Sequence, residues 1–451
     1  MEFSQEQQEA FELYREGKNI FVTGPGGTGK TELIRRIYQH AVQSGKEIHC
    51  SALTGCAAVL LNCNAKTLHS WSGIGLGAAA RETILAKIRK NKHSLKLWKS
   101  TEILVVDEVS MMSLKMFDTL DYIGKAIRRN GKPFGGIQLI FSGDFYQLPP
   151  VGNDDDPDSS SFCFESLAWN QSFDSQIRLV KIFRQRDPEY ASILNQVREG
   201  RIKKSSNARL EQCVGRTKPD NLQVITKLFP TRQKADFLNR ARMEELNSED
   251  ERVFPMKLRS DLESRKSHQF TAKDIEYELQ NLSKNLICDQ ELKLKVGAQV
   301  MCIVNIAPEK GGELEICNGS QGLVTGFCPM TSCPVVKFNN GLEQVMTRHT
   351  WLSERIPGVG VQQVPLILAW ALTIHKSQGA TLDAAEIDVG SGIFECGQTY
   401  VALSRVKSLE GLYLTSYDVT KIKINRKVKE YYSTLSTFEN PPLKKVEPNR
   451  N

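Results

Sequence analysis

The sequence lacks the features that mark secreted, disulfide-stabilised or zinc-stabilised proteins. None of its 11 cysteines belongs to a Cys-x-x-Cys pair, and the closest pair, Cys328 and Cys333, has no second ligand pair at zinc-site intervals. The N-terminal stretch MEFSQEQQEAFELY is polar and acidic, without secretory or Arg-rich targeting character. We therefore expect reduced thiols in an intracellular protein of the cytoplasm or nucleus.

Long hydrophobic runs are also absent. The longest extends from Val364 to Ile374, is interrupted by Thr373, and is too short to span a bilayer. We expect a soluble protein with no membrane role. The 451 residues, 40% of them hydrophobic, are enough for about two to four domains, and the net charge of +7 favours polyanionic partners without identifying one.

Short apolar runs, each followed by a polar or glycine-bearing turn, recur along the chain. Such runs between helical segments are typical of buried parallel strands in an α/β sheet, with functional groups at their carboxyl ends. The first set lies at 19–24, 47–55, 102–108 and 137–144, and a second set at 220–232 and 364–379.

Residues 288–350 differ from both sets. They are rich in Val, Gly and Asn, with alternating patterns separated by Asn-Gly turns such as Asn318-Gly319. This pattern favours a small antiparallel barrel inserted into the second α/β unit.

The stretch GPGGTGKT at 24–31 matches the P-loop and stands between an apolar run and a helical segment. Backbone amides of a glycine-rich turn and a helix N-terminus can surround phosphates, Lys30 would meet the β- and γ-phosphates, and Thr31 would hold Mg²⁺. The expected nucleotide-binding residues here are Gly24, Gly26, Gly27, Thr28, Gly29, Lys30 and Thr31.

The run ILVVDE ends in Asp107 and Glu108. An Asp at the end of a strand can order the Mg²⁺ shell, and the adjacent Glu can polarise an attacking water, so hydrolysis is indicated as well as binding. P-loops serve kinases, switches, clamp loaders and motors, so these two motifs leave the use of the energy open.

Further strings in order resemble the Pif-type (petite integration frequency) DNA helicases, a branch of superfamily 1B related to the RecD family. The resemblance extends from Phe3 to about Leu414, and its most specific strings are GDFYQLPPV at 143–151 and the block that begins FRQ at 183. The others are FSQEQQEA, LTGCAA, TLHSWSGIG, VVDEVSMM, TIHKSQGATLD and YVALSRV.

The resemblance implies an α/β fold of two tandem RecA-like P-loop domains with a small all-β SH3-like insertion in the second. The expected ranges are 1–174 for the first domain, with a short wedge-like insertion at about 59–66; 175–250 and 363–435 for the second domain; 251–362 for the inserted region; and 436–451 for a C-terminal tail.

The resemblance also assigns roles at the ATP site. Gln7 matches the adenine-reading amide, and Gln147 matches the γ-phosphate sensor that touches the attacking water. Arg184 and Arg405 match two arginines that reach the γ-phosphate from the second domain. The catalytic set implied is Lys30, Glu108, Gln147, Arg184 and Arg405, with ATP and Mg²⁺ as cofactors.

On the DNA side, the resemblance implies a single strand gripped by hydroxyls and backbone amides without base readout. The matching positions are Thr54, Gly55, Thr67, His69, Ser70 and Trp71 in the first domain, and His375, Lys376 and Ser377 in the second. Trp71 and His69 are candidates for stacking on bases, with a core position as the alternative for Trp71. Gln378 and Gly379 are expected to face the nucleotide, which makes TIHKSQG a candidate link between the two ligands; local turn chemistry is the alternative.

The function implied is an ATP-dependent DNA helicase that moves 5′ to 3′ on single strands and acts in replication, repair or recombination. Its expected partners are single-stranded and tailed or forked duplex DNA, with replication proteins as candidates, and the motor is expected to be monomeric. The alternative is a nucleic-acid-binding or recombination module that uses ATP to switch conformation without unwinding.

Basic runs at 87–99 and 421–429 are either extra phosphate contacts or solvated helix faces.

Overall fold

The computed structural model describes residues 3–61, 63–75, 79–152, 155–185, 187–218, 225–247, 251–260, 270–286, 288–304, 306, 316, 319–353, 356 and 358–435. Two compact units divide the chain. The first contains the residues up to Leu53, Ala65–Arg184 and the chain from Ile424, and the second contains Thr54–Asn64 and Gln185–Lys423.

The first unit is built on a six-stranded, wholly parallel sheet with the strand order β3-β2-β4-β5-β1-β6. Its strands β1, β4 and β5 are short aliphatic or aromatic segments buried along nearly their whole length, as strands covered on both faces must be. The six strands are β1 (Ile20–Thr23), β2 (Ile48–Ala52), β3 (Lys66–Thr67), β4 (Ile103–Asp107), β5 (Gln138–Gly143) and β6 (Ser175–Arg178).

The helices of the first unit bury apolar faces around an aromatic core that includes Phe117, Phe141 and Trp169. In the described part of the chain, no helix is long and apolar enough to cross a membrane. The helices are α1 (Gln5–Arg15), α2 (Lys30–Gln43), α4 (Leu68–Ser72), α5 (Arg81–Lys90), α6 (Lys92–Ser100), α7 (Leu114–Arg128), α8 (Pro157–Ser160), α9 (Leu167–Ser172) and α15 (Arg426–Thr434); α3 (Gly55–Leu61) falls in the second unit.

The second unit contains a four-stranded parallel sheet with the order β18-β7-β19-β20. These strands are β7 (Thr226–Phe229), β18 (Ala371–Thr373), β19 (Ala385–Val389) and β20 (Leu412–Tyr417). The remaining helices are α10 (Pro188–Arg198), α11 (Lys204–Glu211), α12 (Arg232–Glu245), α13 (Ala272–Asn285) and α14 (Gln398–Leu403).

Between β7 and β18, the second unit forms three smaller antiparallel sheets. A five-stranded sheet has the order β14-β13-β12-β11-β17, a three-stranded sheet β15-β16-β9, and a two-stranded sheet β10-β8. The strands are β8 (Arg252–Pro255), β9 (Lys257–Ser260), β10 (Glu291–Leu294), β11 (Gln299–Cys302), β12 (Gln321–Phe327), β13 (Pro334–Phe338), β14 (Glu343–Val345), β15 (His349–Leu352), β16 (Val359–Gln363) and β17 (Leu366–Leu368). Antiparallel β structure was expected for residues 288–350, where β10 to β14 lie, but not for β8, β9, β16 and β17. The SH3-like character of the expected barrel stays a prediction, and Asn318 and the tail 436–451 lie outside the described residues.

The compact units depart from the expected boundaries. We expected the first domain to end at 174, but β6 pairs with β1 in the first sheet, and Arg184 also belongs to the first unit. We expected 363–435 to lie in the second domain, but α15 packs in the core of the first unit through Val428 and Tyr432. Pairing between distant segments decided these boundaries, and a motif order along the chain does not contain that information.

The apolar run Val364–Ile374, expected to be one buried strand, serves two sheets. Leu366–Leu368 pairs antiparallel with β11, whereas Ala371–Thr373 pairs parallel with β7. The chain changes sheets at Ala369 and Trp370, whose backbone carbonyls accept hydrogen bonds from Gln299 Nε2 at 2.8 Å and from the Lys227 amide at 2.8 Å. An apolar run shows burial but not the partner of each residue.

Candidate functional site

Three segments with expected roles at the ATP site follow strands β1, β4 and β5 at the carboxyl edge of the first sheet. The P-loop follows β1, Asp107 ends β4 and is followed by Glu108, and the loop that holds Gln147 follows β5. The three strands are adjacent in the sheet, with β5 in the centre. Carboxyl ends of parallel strands meet at one edge, so the topology brings these segments together.

The P-loop needs glycine at specific positions. Gly24 has a φ of +152° and Gly29 a φ of +81°. A Cβ on Gly24 would lie 2.5 Å from the Leu179 carbonyl oxygen, and one on Gly29 would lie 2.5 Å from Gln7 Nε2. Backbone conformation and close approach therefore both exclude larger residues from the turn that begins α2.

Lys30 is directed into this loop. Its Nζ donates to the carbonyl oxygens of Gly24 at 2.7 Å and Pro25 at 3.0 Å. The Thr28 hydroxyl also donates to Pro25, at 2.9 Å. A lysine cation held inside a loop of amides at a helix N-terminus is the donor set that a polyphosphate needs, so the residues fit a nucleotide.

Asp107 is buried beside this lysine. Burial raises the pKa of the Asp107 carboxyl, and the backbone amide of Glu108 and the charge of Lys30 oppose this rise. Glu108 itself has left-handed backbone angles, φ 57° and ψ 40°, which a non-glycine residue rarely adopts. Strain of this kind is common where a side chain is held in position for chemistry.

The loop after β5 is held by a residue from the far end of the chain. Tyr432 of α15 is buried, and its hydroxyl donates to Asp144 Oδ1 at 3.2 Å. The Tyr432 hydroxyl oxygen also lies 2.6 Å from the Thr23 hydroxyl and accepts from the Phe145 amide at 3.1 Å. Its ring stacks on that of Tyr146, with centroids 4.7 Å apart. Tyr432 thus joins the end of β1 to the loop that carries Gln147.

Gln147 is buried, with its backbone amide donating to the Asp144 carbonyl at 2.8 Å.

Gln7 is also buried, and both the oxygen and the nitrogen of its side-chain amide form hydrogen bonds within the chain. Its Oε1 accepts from the Ser4 amide at 2.8 Å, and its Nε2 donates to the carbonyls of Gly29 at 3.2 Å and Thr28 at 3.4 Å. An adenine-reading role for Gln7 therefore requires it to exchange these bonds.

The two expected arginines lie in different units. Arg184 was expected in the second domain, but it belongs to the first unit, where its amide donates to the Gly27 carbonyl at 3.3 Å. Arg405 is buried in the second unit, and its guanidinium donates to Val401 O, Ala380 O and Ser404 Oγ at 2.9, 3.3 and 2.8 Å. Arg405 is thus bonded inside its own unit.

Around α4, three of the expected DNA contacts lie within reach of solvent and one does not. Thr67 is half-buried, and its hydroxyl caps α4 by accepting from the Ser70 amide at 3.3 Å. Ser70 is exposed. His69 is half-buried, which lowers the pKa of its ring. Trp71 is fully buried, with its ring 4.7 Å from that of Trp98 on α6. Of the two alternatives for Trp71, burial of the ring favours the core position over stacking on bases.

Thr54 and Gly55 lie shortly after β2. The Thr54 hydroxyl accepts from the Ala57 amide at 3.2 Å, and α3 begins at Gly55. These residues were expected in the first domain and are found in the second unit. In the range expected for the wedge, 59–66, residues 59–61 end α3 and Lys66 begins β3, while Asn62 lies outside the described residues.

The segment TIHKSQG forms turns at the end of β18. Lys376 is exposed, and half-burial lowers the pKa of His375, opposed by the charge of Glu395. Ser377 is buried, and its hydroxyl donates to the Ile374 carbonyl at 2.8 Å, which agrees with local turn chemistry, the alternative to a DNA contact. Gln378 is buried, its amide donates to His375 O at 3.2 Å, and Gly379 has a φ of +83°.

Tyr432, Thr23 and Asp144 were absent from the residues predicted as functional. Asp144 could have been found, since it stands within the same string as Gln147. Tyr432 could not, because 288 residues separate it from Asp144 and no motif surrounds it.

Two family models match the chain. The model described as PIF1-like helicase matches residues 2–208, and the one described as DNA helicase Pif1, 2B domain matches residues 278–327. The human protein named ATP-dependent DNA helicase PIF1 is 35% identical over 438 residues, which cover 96% of this chain and 64% of the human protein. The chain thus spans slightly less than two thirds of the length of the curated relatives it matches.

Solved structures match over nearly the whole chain. The crystal structure of Pif1 helicase from Candida albicans is 34% identical with a TM-score of 0.75, and the match covers 97% of this chain and 100% of that one. The Pif1 helicase from Bacteroides in complex with ADP-AlF3 and ssDNA is 27% identical with a TM-score of 0.64, covering 96% and 97%. These matches confirm the expected α/β fold of two RecA-like domains. The chain belongs to the PIF1-like helicase family.

Proposed function

We propose that this protein is an ATP-dependent DNA helicase that moves 5′ to 3′ along single-stranded DNA and unwinds duplex. The observation that carries the proposal is the carboxyl edge of the first sheet, where the P-loop, the Asp107–Glu108 pair and the Gln147 loop follow neighbouring strands. The names of the human and Bacteroides relatives, an ATP-dependent DNA helicase and a complex with ADP-AlF3 and ssDNA, support it. We also propose a role in replication, repair or recombination.

In this proposal the first unit binds and hydrolyses ATP. The amides from Gly24 to Gly29 and the N-terminus of α2 bind the phosphates, and Lys30 neutralises them. Glu108 polarises the attacking water as general base, and Gln147 orients it. Gln7 reads adenine after exchanging its bonds to the P-loop carbonyls, and Gln378 and Gly379 respond to nucleotide from the second unit.

Two residues of the first unit would hold Mg²⁺, the Thr31 hydroxyl and the buried Asp107 carboxylate. The ion would supply charge neutralisation on the phosphates. Among the described residues, no three His, Cys, Asp or Glu side chains are grouped to hold a metal ion. This suits Mg²⁺, which is commonly held by one or two carboxylates together with substrate phosphates.

Arg184 and Arg405 are proposed to stabilise charge on the γ-phosphate. For Arg405 this role has a cost, because its guanidinium must leave carbonyl and hydroxyl partners inside the second unit. The backbone amide of Arg184 donates to the P-loop carbonyl of Gly27, which places this residue beside the phosphate-binding turn.

Single-stranded DNA is proposed to contact hydroxyls, amides and one cation. Thr54, Gly55, Thr67, His69 and Ser70 contribute from the ends of β2 and β3, and His375 and Lys376 from the end of β18. These groups recognise phosphate and sugar without reading bases, as a motor that moves over any sequence requires. One copy of the chain is proposed to form the motor.

Hydrolysis is tested by measuring ATP turnover with and without single-stranded DNA. We expect DNA to stimulate the intact protein strongly, Lys30→Ala to abolish turnover, and Glu108→Gln to lower kcat by about 10² to 10⁴ while ATP still binds. Glu9→Gln, an exposed acid on α1, serves as the control and should retain wild-type turnover. Low turnover that is indifferent to DNA in the wild type would overturn the proposal.

Polarity and unwinding are tested with three forked or tailed duplexes: one with a 5′ tail, one with a 3′ tail and one of RNA. We expect strand separation only with the 5′-tailed DNA and only with ATP. ATP-dependent changes in DNA affinity without strand separation would favour the alternative, a conformational switch that does not unwind.

A further inference from the structure

Nearly all of the chain's excess positive charge lies in two consecutive helices of the first unit. Residues 81–100, which form α5 and α6 and which we name the basic helix pair, contain seven Lys or Arg residues and one Glu. Their net charge is +6, against +7 for all 451 residues. The basic residues are Arg81, Lys87, Arg89, Lys90, Lys92, Lys96 and Lys99, and the acid is Glu82.

Two of these cations have structural partners, and five have none among the residues that the structure describes. Arg81 lies 3.1 Å from Glu82 and its guanidinium lies over the Tyr122 ring at 4.6 Å, while Arg89 donates to the Ala126 carbonyl at 3.4 Å. The five lysines are all exposed, and none pairs with an acid among the residues the structure describes. The free cations are Lys87, Lys90, Lys92, Lys96 and Lys99.

The basic helix pair is firmly attached to the first unit. Ile84, Leu85, Ile88 and Trp98 are buried on its inner side. Arg128 of α7 donates through Nη1 to the carbonyls of Trp98, Lys99 and Thr101 at 2.9 to 3.0 Å, which satisfies the C-terminal end of α6. The lysines are therefore presented on a fixed frame, and the backbone loses little freedom when they bind a ligand.

The neighbouring charges reinforce this face. Arg129 and Lys132, which follow α7, are exposed. Of the nearby acids, Asp121 pairs with Lys125 at 2.5 Å, whereas Glu102, whose Oε2 accepts the Glu47 amide at 2.8 Å, keeps its negative charge. The cations outnumber these acids, so the face carries a net positive potential.

The chemistry of the face favours duplex over single-stranded DNA. Proteins that hold single strands generally offer aromatic rings on which bases stack. In the basic helix pair the large apolar side chains face inward: Trp98 is fully buried, and residues 81–100 expose no large hydrophobic side chain. A surface of lysines without stacking groups matches duplex DNA, which presents phosphates while its bases stay stacked.

We propose that the basic helix pair is a binding site for the phosphate backbone of duplex DNA, separate from the single-strand contacts. Trp98 Nε1 donates to Ser72 O at 2.9 Å, which attaches α6 to α4, the helix that carries His69 and Ser70. Duplex and single strand would then be held by adjoining elements of one unit. The inference rests on the proposed helicase function, because it assigns the double-stranded part of that substrate to a surface.

The test uses Lys92→Gln, Lys96→Gln and Lys99→Gln together, because these residues share one face of α6 at i, i+4 and i+7. Glutamine removes the charge while keeping side-chain length and helix propensity. Equilibrium binding without nucleotide is measured over a range of salt concentrations for three probes: a single-stranded oligonucleotide, the same oligonucleotide joined to a hairpin duplex, and the hairpin alone.

For the two duplex-bearing probes, we expect the variant to bind about tenfold more weakly at low salt, and the slope of log affinity against log salt to become shallower by up to about 3. Affinity for the oligonucleotide alone, and ATP turnover stimulated by it, should not change. A control variant removes the same charge from the second unit, Arg201→Gln, Lys203→Gln and Lys204→Gln, all exposed residues, and should leave duplex binding unchanged.

Equal losses for all three probes, or equal losses in both variants, would overturn the proposal in favour of a general charge effect. Unchanged duplex binding in the Lys92, Lys96 and Lys99 variant would overturn it as well. These failures are distinct from failure of the proposed function, which would appear in the wild type as turnover that DNA does not stimulate.

Discussion

At the residue scale, adjacent side chains with the same expected role behave differently once burial is known. His375 and Lys376 were both expected to contact DNA phosphate. Lys376 is exposed, whereas half-burial lowers the pKa of His375 below its ordinary value of 6.5 because the charged ring is disfavoured. At pH 7 the histidine is therefore neutral and can offer a hydrogen bond but no charge.

A comparison of two variants tests this difference at pH 7. Lys376→Gln should make the slope of log affinity against log salt for single-stranded DNA shallower by about 0.7, the value for one phosphate contact. His375→Gln should leave that slope unchanged. Because the pKa of His375 is lowered, its ring takes up a proton only below its ordinary titration range, and there the wild type should gain slope that His375→Gln lacks. A shallower slope for His375→Gln already at pH 7 would show that the ring is charged.

At the element scale, α15 is the least expected part of the ATP site. Its two consecutive tyrosines bond to different places in the first unit. Tyr432 contacts Thr23, Asp144 and Phe145 beside the Gln147 loop, whereas Tyr431 bonds Gln176 and accepts from Trp169 Nε1 at 3.1 Å. A helix that follows the last strand of the second unit thus orders the loop proposed to position water in the first.

The two tyrosines provide a matched pair of variants, each of which loses one hydroxyl from the same helix. Tyr432→Phe leaves the Phe145 amide and Asp144 short of a partner, so we expect a loss of about 1 to 3 kcal/mol in the free energy of unfolding. We also expect kcat for ATP to fall about tenfold or more with little change in KM, because displacement of a positioning loop affects the reacting geometry more than binding.

Tyr431→Phe is the control for that experiment. It should lose a similar amount of stability, measured by urea unfolding, while retaining kcat. If both variants kept full kcat, or both lost it equally, Tyr432 would have a structural role only.

At the scale of the whole molecule, hydrolysis in the first unit must respond to DNA if the chain is a motor. The candidate for this coupling is TIHKSQG in the second unit, where Gln378 is buried directly after the turn that holds His375 and Lys376. Burial of an amide at that position is compatible with coupling and equally with the local turn chemistry that Ser377 performs, so a functional measurement must separate them.

Gln378→Ala is expected to retain affinity for single-stranded DNA within about threefold and to lose most DNA-stimulated turnover. Ser377→Ala, which removes only the buried hydroxyl bond to Ile374, is the control for damage to the turn. Binding titrations and turnover assays on both variants check this. Preservation of both quantities in Gln378→Ala would remove the coupling role, and equal effects in both variants would indicate turn chemistry.

Features encoded in consecutive residues were predicted well. The strands at 19–24, 47–55, 102–108 and 137–144 correspond to β1, β2, β4 and β5, because buried parallel strands are continuous apolar runs. The P-loop was predicted from the glycines of the stretch GPGGTGKT at 24–31. For Trp71 the sequence left stacking and a core position as alternatives, and only its packing against Trp98 of α6 decides between them. The bonds of Tyr432 were not predictable, since its partners Thr23 and Asp144 lie far away in the chain.

The sequence by itself determined the P-loop, the acidic pair that ends β4, the parallel α/β class and the family resemblance, because each is a local pattern of residue types. Only the tertiary structure decided that α15 and β6 belong to the first unit and that one apolar run supplies strands to two sheets. It also decided that the lysines of α5 and α6 are exposed while Trp98 of α6 is buried. The physical reason is the same in each case: burial and pairing are settled by contacts between segments distant in sequence, which depend on how the chain packs.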